Sequence, residues 1–393
     1  MAIRANPKLI EELETYGAQD VSNCYHCGNC SATCPFSSDH AIFPRREMRM
    51  LQMGLETKLE SSLDPWLCYY CGECSDDCPR DAEPGETMMS LRRWLTARYD
   101  WTGISRLFYR SWKIELLAII IVALLAGAGF LVAGFVLGGG DISVYDGENA
   151  FLPAGGSWYG LPTGSGVHLF DWLLAGMLVF FLGTNCIRMW WKTMGRDKNL
   201  QIPAWMYITR IWAAPYHFIT QARYAQCDRK RPWGVHLVLM LSYVTMLILI
   251  MFFLDRMASG PEVDWKVHFF GLVATFGLLA TTIFAIRGRM AKRESQYKYS
   301  HESDWMFLIL LLVVAGTGLL QFVLHRSGLD TAANIAFVIH MMAVVPMLLL
   351  EVPFSKWSHM AYRPLAMYFH EVREAAMTAE EKSAVPLGAT QAA

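Results

Sequence analysis

Long apolar segments separated by polar connections fill the chain from residue 114 to residue 357. A helix needs about 20 apolar residues to cross a hydrocarbon core of ~30 Å. Lipid offers no hydrogen-bond partners, so a crossing segment must satisfy its own backbone groups, as a helix does. The pattern predicts six transmembrane helices, over residues 114–137, 167–191, 234–254, 267–287, 305–325 and 333–357.

Basic residues predict the orientation of these helices, because cytoplasmic connections are enriched in Lys and Arg. Six basic residues lie within 92–113, whereas the connection 138–166 has none. Eight lie between the second and third spans, and four between the fourth and fifth. The start of the chain also lacks an apolar signal segment. We therefore expect a multi-pass protein of the cytoplasmic (inner) membrane, surrounded by lipid, with both termini in the cytoplasm.

One apolar connection does not fit a seventh span. Residues 203–227 are aromatic and apolar but include Arg210 and Arg223, and burying both charges in lipid is costly. We predict a helix or a broken helix that lies at the cytoplasmic interface. It would dock partner subunits, line a ligand pocket or simply anchor the chain at the membrane.

Two cysteine runs distinguish the first 110 residues. The pattern Cys-x2-Cys-x2-Cys-x3-Cys-Pro occurs at 24–35 and again at 68–79. It is the spacing of two-cluster bacterial ferredoxins, in which the fourth cysteine of each run binds the other cluster. The spacing predicts two [4Fe–4S] clusters, one held by Cys24, Cys27, Cys30 and Cys78, the other by Cys68, Cys71, Cys74 and Cys34.

Zinc is the alternative metal for these cysteines. Structural zinc sites usually combine two Cys-x2-Cys pairs across a longer spacer, whereas each run here holds four cysteines within eleven residues. Clusters are therefore preferred, and the expected fold is all-α. It consists of a helical two-cluster ferredoxin-like domain over 1–110, a six-helix transmembrane bundle over 111–362 and a cytoplasmic tail over 363–393.

Five histidines lie in or beside the last four predicted spans. A single one can simply hydrogen-bond to a neighbouring helix, but an ionisable residue in a membrane segment is a functional candidate. Several on consecutive spans favour haem b held between imidazoles of facing helices. The candidates are His236, His268, His325, His340 and His359. His236 and His359 are the first choice for one haem, because both would lie at the cytoplasmic level.

The first hundred residues resemble the C subunit of heterodisulfide reductases, which is an iron–sulfur protein. The two cysteine runs carry this resemblance, together with Trp66 and Leu67 ahead of the second run and an arginine-bearing helix after it. The resemblance implies an electron relay that has no substrate site of its own.

The later spans resemble the gamma-subunit family of nitrate reductases. The stretch EVPFSKWSHMAYRPL (351–365) contains that family's Pro-Phe-Ser-basic-x-x-His signature, in which His359 matches a haem ligand. The resemblance implies that His236 is a ligand on the partner helix, and His340 lies one residue from another ligand position. The remaining position falls near Met246. A second haem would therefore pair His340 with Met246, His268 or His325.

Together the two parts resemble the family of membrane subunits found in quinone-interacting membrane-bound oxidoreductase complexes. This resemblance implies a menaquinone site and cytoplasmic flavin/iron–sulfur partner subunits similar to the flavoprotein of heterodisulfide reductases. It also implies electron transfer to adenylyl-sulfate reductase in dissimilatory sulfate reduction. Lys266 matches a lysine that lines the quinol pocket of gamma subunits, but it could equally be an interfacial side chain. Glu351, Asp171 and His168 are the other quinone or proton candidates.

Two further interpretations of the chain are open. The membrane subunit of a heterodisulfide- or sulfite-reduction complex would contain similar parts, and a non-catalytic anchor would use its clusters only to organise an interface. Nucleic acid is not an expected partner, because 34 Lys and Arg stand against 35 Asp and Glu. Cys186 and Cys227 lie outside both runs and are predicted to be inert.

Overall fold

The computed structural model describes residues 5–37, 42–137, 166–195, 202–258 and 265–384. Every regular element in these ranges is a helix, which confirms the all-α prediction. The chain divides into two compact units. Unit 1 combines Met1–Arg106, Thr184–Trp233 and Ser358–Ala393, and unit 2 combines Leu107–Gly183 and Gly234–Trp357.

The described ranges of the chain contain the following α-helices. In order they are α1 (Leu9–Glu14), α2 (Asn29–Thr33), α3 (Arg45–Gln52), α4 (Glu56–Glu60), α5 (Asp64–Leu67), α6 (Glu73–Asp76), α7 (Pro84–Tyr99), α8 (Ile104–Arg110), α9 (Trp112–Leu137), α10 (Gly166–Trp190), α11 (Ala204–Thr209), α12 (Ala213–Thr220), α13 (Lys230–Ala258), α14 (Trp265–Ala291), α15 (Ser295–Lys298), α16 (Glu302–Arg326), α17 (Asp330–Pro346), α18 (Val352–Phe354) and α19 (His359–Ala384).

Helix α7 forms the centre of unit 1. It begins with Pro84, whose missing N–H costs nothing in a first turn, and it packs against α1, α3, α5 and α6. Met88, Trp94 and Leu95 are fully buried. The Trp94 indole N–H donates to Glu12 Oε1 over 3.2 Å. A helix that is buried on nearly all sides is a core element, so α7 supports the cysteine runs around it.

A buried ion pair within α7 also contacts the second cysteine run through Glu86. Arg93 Nη1 lies 3.0 Å from Glu86 Oε1, and both side chains are 3% exposed. The Tyr70 hydroxyl, from the loop of the second run, donates to Glu86 Oε2 over 2.7 Å. Glu86 therefore links the core helix to the loop that carries Cys68 and Cys71.

Replacing Glu86 with Ala is expected to lower the free energy of unfolding by about 3–5 kcal/mol, because it leaves the Arg93 charge buried without its carboxylate. Guanidinium titration of the detergent-solubilised protein, followed by circular dichroism, measures this change. The matched control is Glu11→Ala, at an exposed position of α1. Equal stability of the two variants would mean that the buried pair contributes little.

The segment 203–227 forms a broken helix. Its two α-helices, α11 and α12, contain 6 and 8 residues, far fewer than the roughly 20 that a crossing needs. Both pack against α19. The Tyr368 hydroxyl donates to the Tyr207 carbonyl over 2.7 Å, and His217 Nε2 lies 3.1 Å from Glu371 Oε1.

Six helices among the described residues are long and apolar enough to cross a membrane, as predicted. They are Trp112–Val132, Phe170–Gly195, Lys230–Phe253, Trp265–Ala291, Glu302–Arg326 and Thr331–Phe354. The third begins four residues before its predicted start, because Pro232 lies in its first turn, where proline is tolerated. In unit 2 the first and sixth spans share an apolar core of Phe130, Phe337, Val338, Met341 and Val345.

The sixth span is irregular near its end. Between Pro346 and Pro353 the helix widens into a π-helical turn, Met347–Glu351. Such turns form where the regular hydrogen-bond ladder is interrupted, as proline interrupts it. The span ends at Ser355, whose φ of −125° and ψ of −149° are not helical. The predicted end at residue 357 is therefore three residues too late, and His359 starts a new helix, α19.

Candidate iron–sulfur and membrane sites

The two cysteine runs fold into the same short loop twice. In each, a left-handed residue, His26 (φ 61°) or Tyr70 (φ 56°), is followed two positions later by a left-handed glycine. These glycines, Gly28 (φ 97°) and Gly72 (φ 88°), start the one-turn helices that carry the third cysteine. Only glycine adopts this backbone conformation without strain. It lets the chain reverse tightly between the second and third cysteines.

The first site is a cavity lined by thiols of both runs. Its lining includes Cys24, Cys27, Cys30, Cys78, Arg45 and Arg80. This set matches the crossed ferredoxin arrangement, in which the fourth thiol comes from the other run. Burial, followed by the charge of neighbouring Cys24, raises the pKa of the Cys30 thiol to about 11. A thiol of this kind loses its proton at neutral pH only to a metal, so the residues fit a cluster.

The second site is more deeply buried and shows the reciprocal crossing. Cys34 of the first run interacts with Cys68 and Cys71, and Cys74 interacts with all three. Cys68 and Cys74 are buried. Burial raises the pKa of the Cys34 thiol to about 12. At both sites the neighbouring cysteines are those of the predicted ligand sets. The ligation itself remains a prediction.

A site for one metal ion requires its ligands to converge on a single point, with zinc–thiolate distances of about 2.3 Å. In the described ranges, no three His, Cys, Asp or Glu side chains converge closely enough to hold one metal ion. The spacing of the two cysteine runs favours cubane clusters instead.

Two arginines direct positive charge at the second site. Arg92, on α7, donates from Nε to the Pro65 carbonyl over 2.6 Å and from Nη2 to the Cys68 carbonyl. Arg363, on α19, donates from Nη2 to the same Cys68 carbonyl over 2.9 Å. Burial, followed by the charge of Arg363, lowers the pKa of Arg92 to about 9. Two guanidinium groups this close repel each other, and an anionic cluster beside them would offset that repulsion.

Cys227 lies against the second site, although the sequence predicts it to be inert. It is fully buried, and its thiol lies beside the thiol of Cys71. That contact, followed by burial, raises the pKa of the Cys227 thiol far above its usual range. Nothing in the sequence indicates this proximity, because Cys227 belongs to no motif.

The first-choice haem ligands lie on helices of different units. His236 is on α13 in unit 2, and His359 is the first residue of α19 in unit 1. Their pairing therefore stays a prediction. Within unit 1, His359 and Arg363 are four residues apart on one helix and share a face. The candidate haem ligand and an arginine bonded to the second cysteine run are thus neighbours on α19.

The other haem candidates have protein partners. The Thr317 hydroxyl, on α16, lies 3.0 Å from His340 Nδ1, which leaves Nε2 of His340 available to a metal. His268 Nε2 lies 3.3 Å from Arg326 Nη2, and it must accept this hydrogen bond because arginine only donates. That bond occupies Nε2, one of the two ring nitrogens through which His268 could bind iron.

The last two haem candidates lie on α13 and α16. Met246 Sδ lies 3.9 Å from Thr275 Oγ1, so its thioether faces α14. His325 is half-buried in the last turn of α16. All of these assignments remain predictions.

Glu351 meets a second carboxyl that the sequence pattern did not single out. Its side chain is fully buried in the π-helical turn and contacts Glu115 of α9, which is also fully buried. The Ser355 hydroxyl donates to Glu115 Oε1 over 2.6 Å. Two buried carboxyls in contact cannot both be ionised, so the pair shares a proton. The sequence did contain one signal for Glu115, because it is a carboxylate in the first turn of a predicted span.

The remaining quinone and proton candidates stay predictions. Lys266 is exposed in the first turn of α14, two residues before His268. Asp171 is half-buried near the start of α10. The side chain of His168 lies outside the residues whose side chains the structure describes.

Comparison with known proteins identifies the cysteine-rich region. A family model for a 4Fe-4S dicluster domain matches residues 20–82, a range that contains all eight cysteines of the two runs. Comparison with curated proteins and with solved structures gave no match. The chain thus combines an iron–sulfur domain of the electron-transfer type with six candidate membrane spans.

Proposed function

We propose that this chain is the membrane electron-transfer subunit of a quinone-linked oxidoreductase. In this proposal, electrons from menaquinol reach haem b and two [4Fe–4S] clusters. They then leave to cytoplasmic flavin/iron–sulfur partner subunits and to adenylyl-sulfate reductase in dissimilatory sulfate reduction. When bound, haem and the clusters supply one-electron transfer, which is the chemistry needed between a two-electron quinol and a soluble acceptor.

Helix α19 is the observation that carries this proposal. It begins with the candidate haem ligand His359, and one turn later Arg363 donates to the Cys68 carbonyl over 2.9 Å. Arg363 also lies over the ring of Tyr69, 4.2 Å from its centroid. The same helix thus carries a haem-ligand candidate and holds the loop of the second cysteine run. The second site is therefore the one assigned to receive electrons from the membrane.

The first site has the exposure that a soluble partner needs. Cys27 is exposed, and Tyr25 is 70% exposed with Arg80 stacked over its ring at 4.3 Å. Cys68 and Cys74 of the second site are buried in contrast. Electron transfer to a partner is favoured where the ligand loop is accessible, so we assign the exit to the first site.

Reduction of the purified chain by a menaquinol analogue tests this proposal. We expect a reduced b-type haem absorbance, followed by EPR signals of two interacting clusters. Mass spectrometry of co-purifying proteins should find flavoprotein subunits and adenylyl-sulfate reductase. Co-purification of heterodisulfide- or sulfite-reducing subunits would move the chain to those complexes, and clusters that quinol never reduces would indicate an anchor. A purified chain with zinc and no haem would exclude the proposal.

The carboxyl pair is the proposed proton site of unit 2. Gln at position 351 keeps the shape and a hydrogen bond to Glu115 but cannot exchange a proton. Glu351→Gln and Glu115→Gln are therefore each expected to slow menaquinol-dependent reduction by about 100-fold, the range of a lost proton-transfer group. Stopped-flow absorbance measures this rate. Glu302→Gln, at a residue whose side chain is 60% exposed, is the control, and normal rates in both pair variants would remove the carboxyls from the mechanism.

A further inference from the structure

Cys227 is positioned at the second cysteine run by the segment that ends just before the third span. It follows the 3-10 turn Tyr224–Gln226. The Tyr224 ring stacks on Tyr69, with centroids 4.6 Å apart and an interplanar angle of 16°. On the other side, the Asp228 N–H donates to Glu73 Oε1 over 3.1 Å. Contacts before and after Cys71 therefore hold this segment in place.

Two basic residues complete the attachment. Arg229 Nη2 lies 2.8 Å from Asp76 Oδ2, and Lys230 Nζ donates to the Cys227 carbonyl over 2.8 Å. These contacts hold the backbone of Cys227 next to the loop that carries Cys71.

The chemistry of the two thiols decides which one donates. A cysteine that binds iron does so as a thiolate, which has no proton and accepts hydrogen bonds. If Cys71 is a cluster ligand, as the proposed function requires, Cys227 must keep its proton and donate S–H to the Cys71 sulfur. A second thiolate at this distance would repel both Cys71 and the anionic cluster.

We propose that Cys227 is a positioning residue whose S–H group raises the reduction potential of the cluster at the second site. Reduction adds negative charge to the cluster and its ligand sulfurs, and a hydrogen bond to a sulfur stabilises that charge. Hydrogen bonds to charged groups are worth a factor of about ten or more in an equilibrium constant. For a one-electron couple, a factor of ten corresponds to about 59 mV.

EPR-monitored redox titration of the full chain tests this inference. Cys227→Ala removes the donor, so the midpoint potential of one cluster should fall by about 59 mV, a tenfold shift of the reduction equilibrium. Cys227→Ser restores a donor and should restore the potential at least to the original value. Cys186→Ala is the matched control, because Cys186 also lies outside both runs and is on α10. The potential of the other cluster should stay constant in all variants.

Iron and sulfide content per chain separates the possible failures. Unchanged potentials in Cys227→Ala with both clusters present would overturn the role of Cys227 but leave the proposed function standing. Loss of one cluster in Cys227→Ala would also overturn it, because Cys227 would then act as a ligand. Absence of clusters from the unmodified protein would instead overturn the proposed function itself.

Discussion

Replacing Cys34 with Ala is expected to abolish the cluster held by the second cysteine run, and to leave the cluster of its own run intact. Cys34 lies beside Cys68 and Cys71, whereas Cys30, four residues earlier, lies beside Cys24 and Cys78. A [4Fe–4S] cluster that loses one of four thiolates loses a quarter of its protein ligands. The iron content should fall from that of two clusters to that of one, with loss of the spin coupling between clusters in EPR.

Double variants identify which cluster is lost. If Cys34 serves the second site, Cys34→Ala combined with Cys71→Ala removes one cluster, because both changes affect the same site. Cys34→Ala combined with Cys27→Ala removes both. Uncrossed ligation predicts the opposite result for each pair, and Cys186→Ala controls for the loss of a cysteine as such. Iron quantitation of the four proteins therefore decides the connectivity.

The predicted features that hold in the structure depend on residues close together in the sequence. The cysteine loops are set by spacings of three and four residues and by Gly28 and Gly72, so the sequence predicts their shape. The six spans are set by runs of apolar residues in contact with lipid, which is also a local property. The end of the last span was misplaced because Ser355 leaves the helical region within an apparently continuous pattern.

The features that the sequence pattern did not reveal come from tertiary contacts over long separations. Arg363 reaches the Cys68 carbonyl across 295 positions, and Ser355 reaches Glu115 across 240. Cys227 belongs to no motif, and tertiary contacts of its segment, such as the stacking of Tyr224 on Tyr69, place it beside Cys71. Periodicity and spacing contain no information about which distant segments pack together.

These long-range contacts bring positive charge and a candidate hydrogen-bond donor to the second site. Arg92 and Arg363 donate to one carbonyl of the loop that carries the predicted ligands Cys68 and Cys71, and the Cys227 thiol lies beside that of Cys71. Positive charge and a hydrogen-bond donor both stabilise a more reduced, more negative cluster. Both groups should therefore raise the reduction potential of the second site.

Replacing His359 with Ala is expected to remove one haem b from the protein, because a haem that is held between two imidazoles loses one of its two axial protein ligands. Haem quantified per chain as the pyridine haemochrome should fall by one equivalent. Reduction of the clusters by a menaquinol analogue should then stop, whereas iron content should not change. These two readouts separate an interrupted relay from a misfolded iron–sulfur domain.

His370→Ala is the matched control on the same helix. His370 Nε2 lies 3.2 Å from Oε1 of Glu374, which follows it by one turn on α19. No cofactor is assigned to His370. The control should retain its haem and its quinol-dependent cluster reduction. Because Arg363 lies between the two histidines and donates to the Cys68 carbonyl, general disruption of α19 would affect both variants. Loss confined to His359→Ala would therefore assign the defect to haem ligation, and full haem content in that variant would exclude His359 as a ligand.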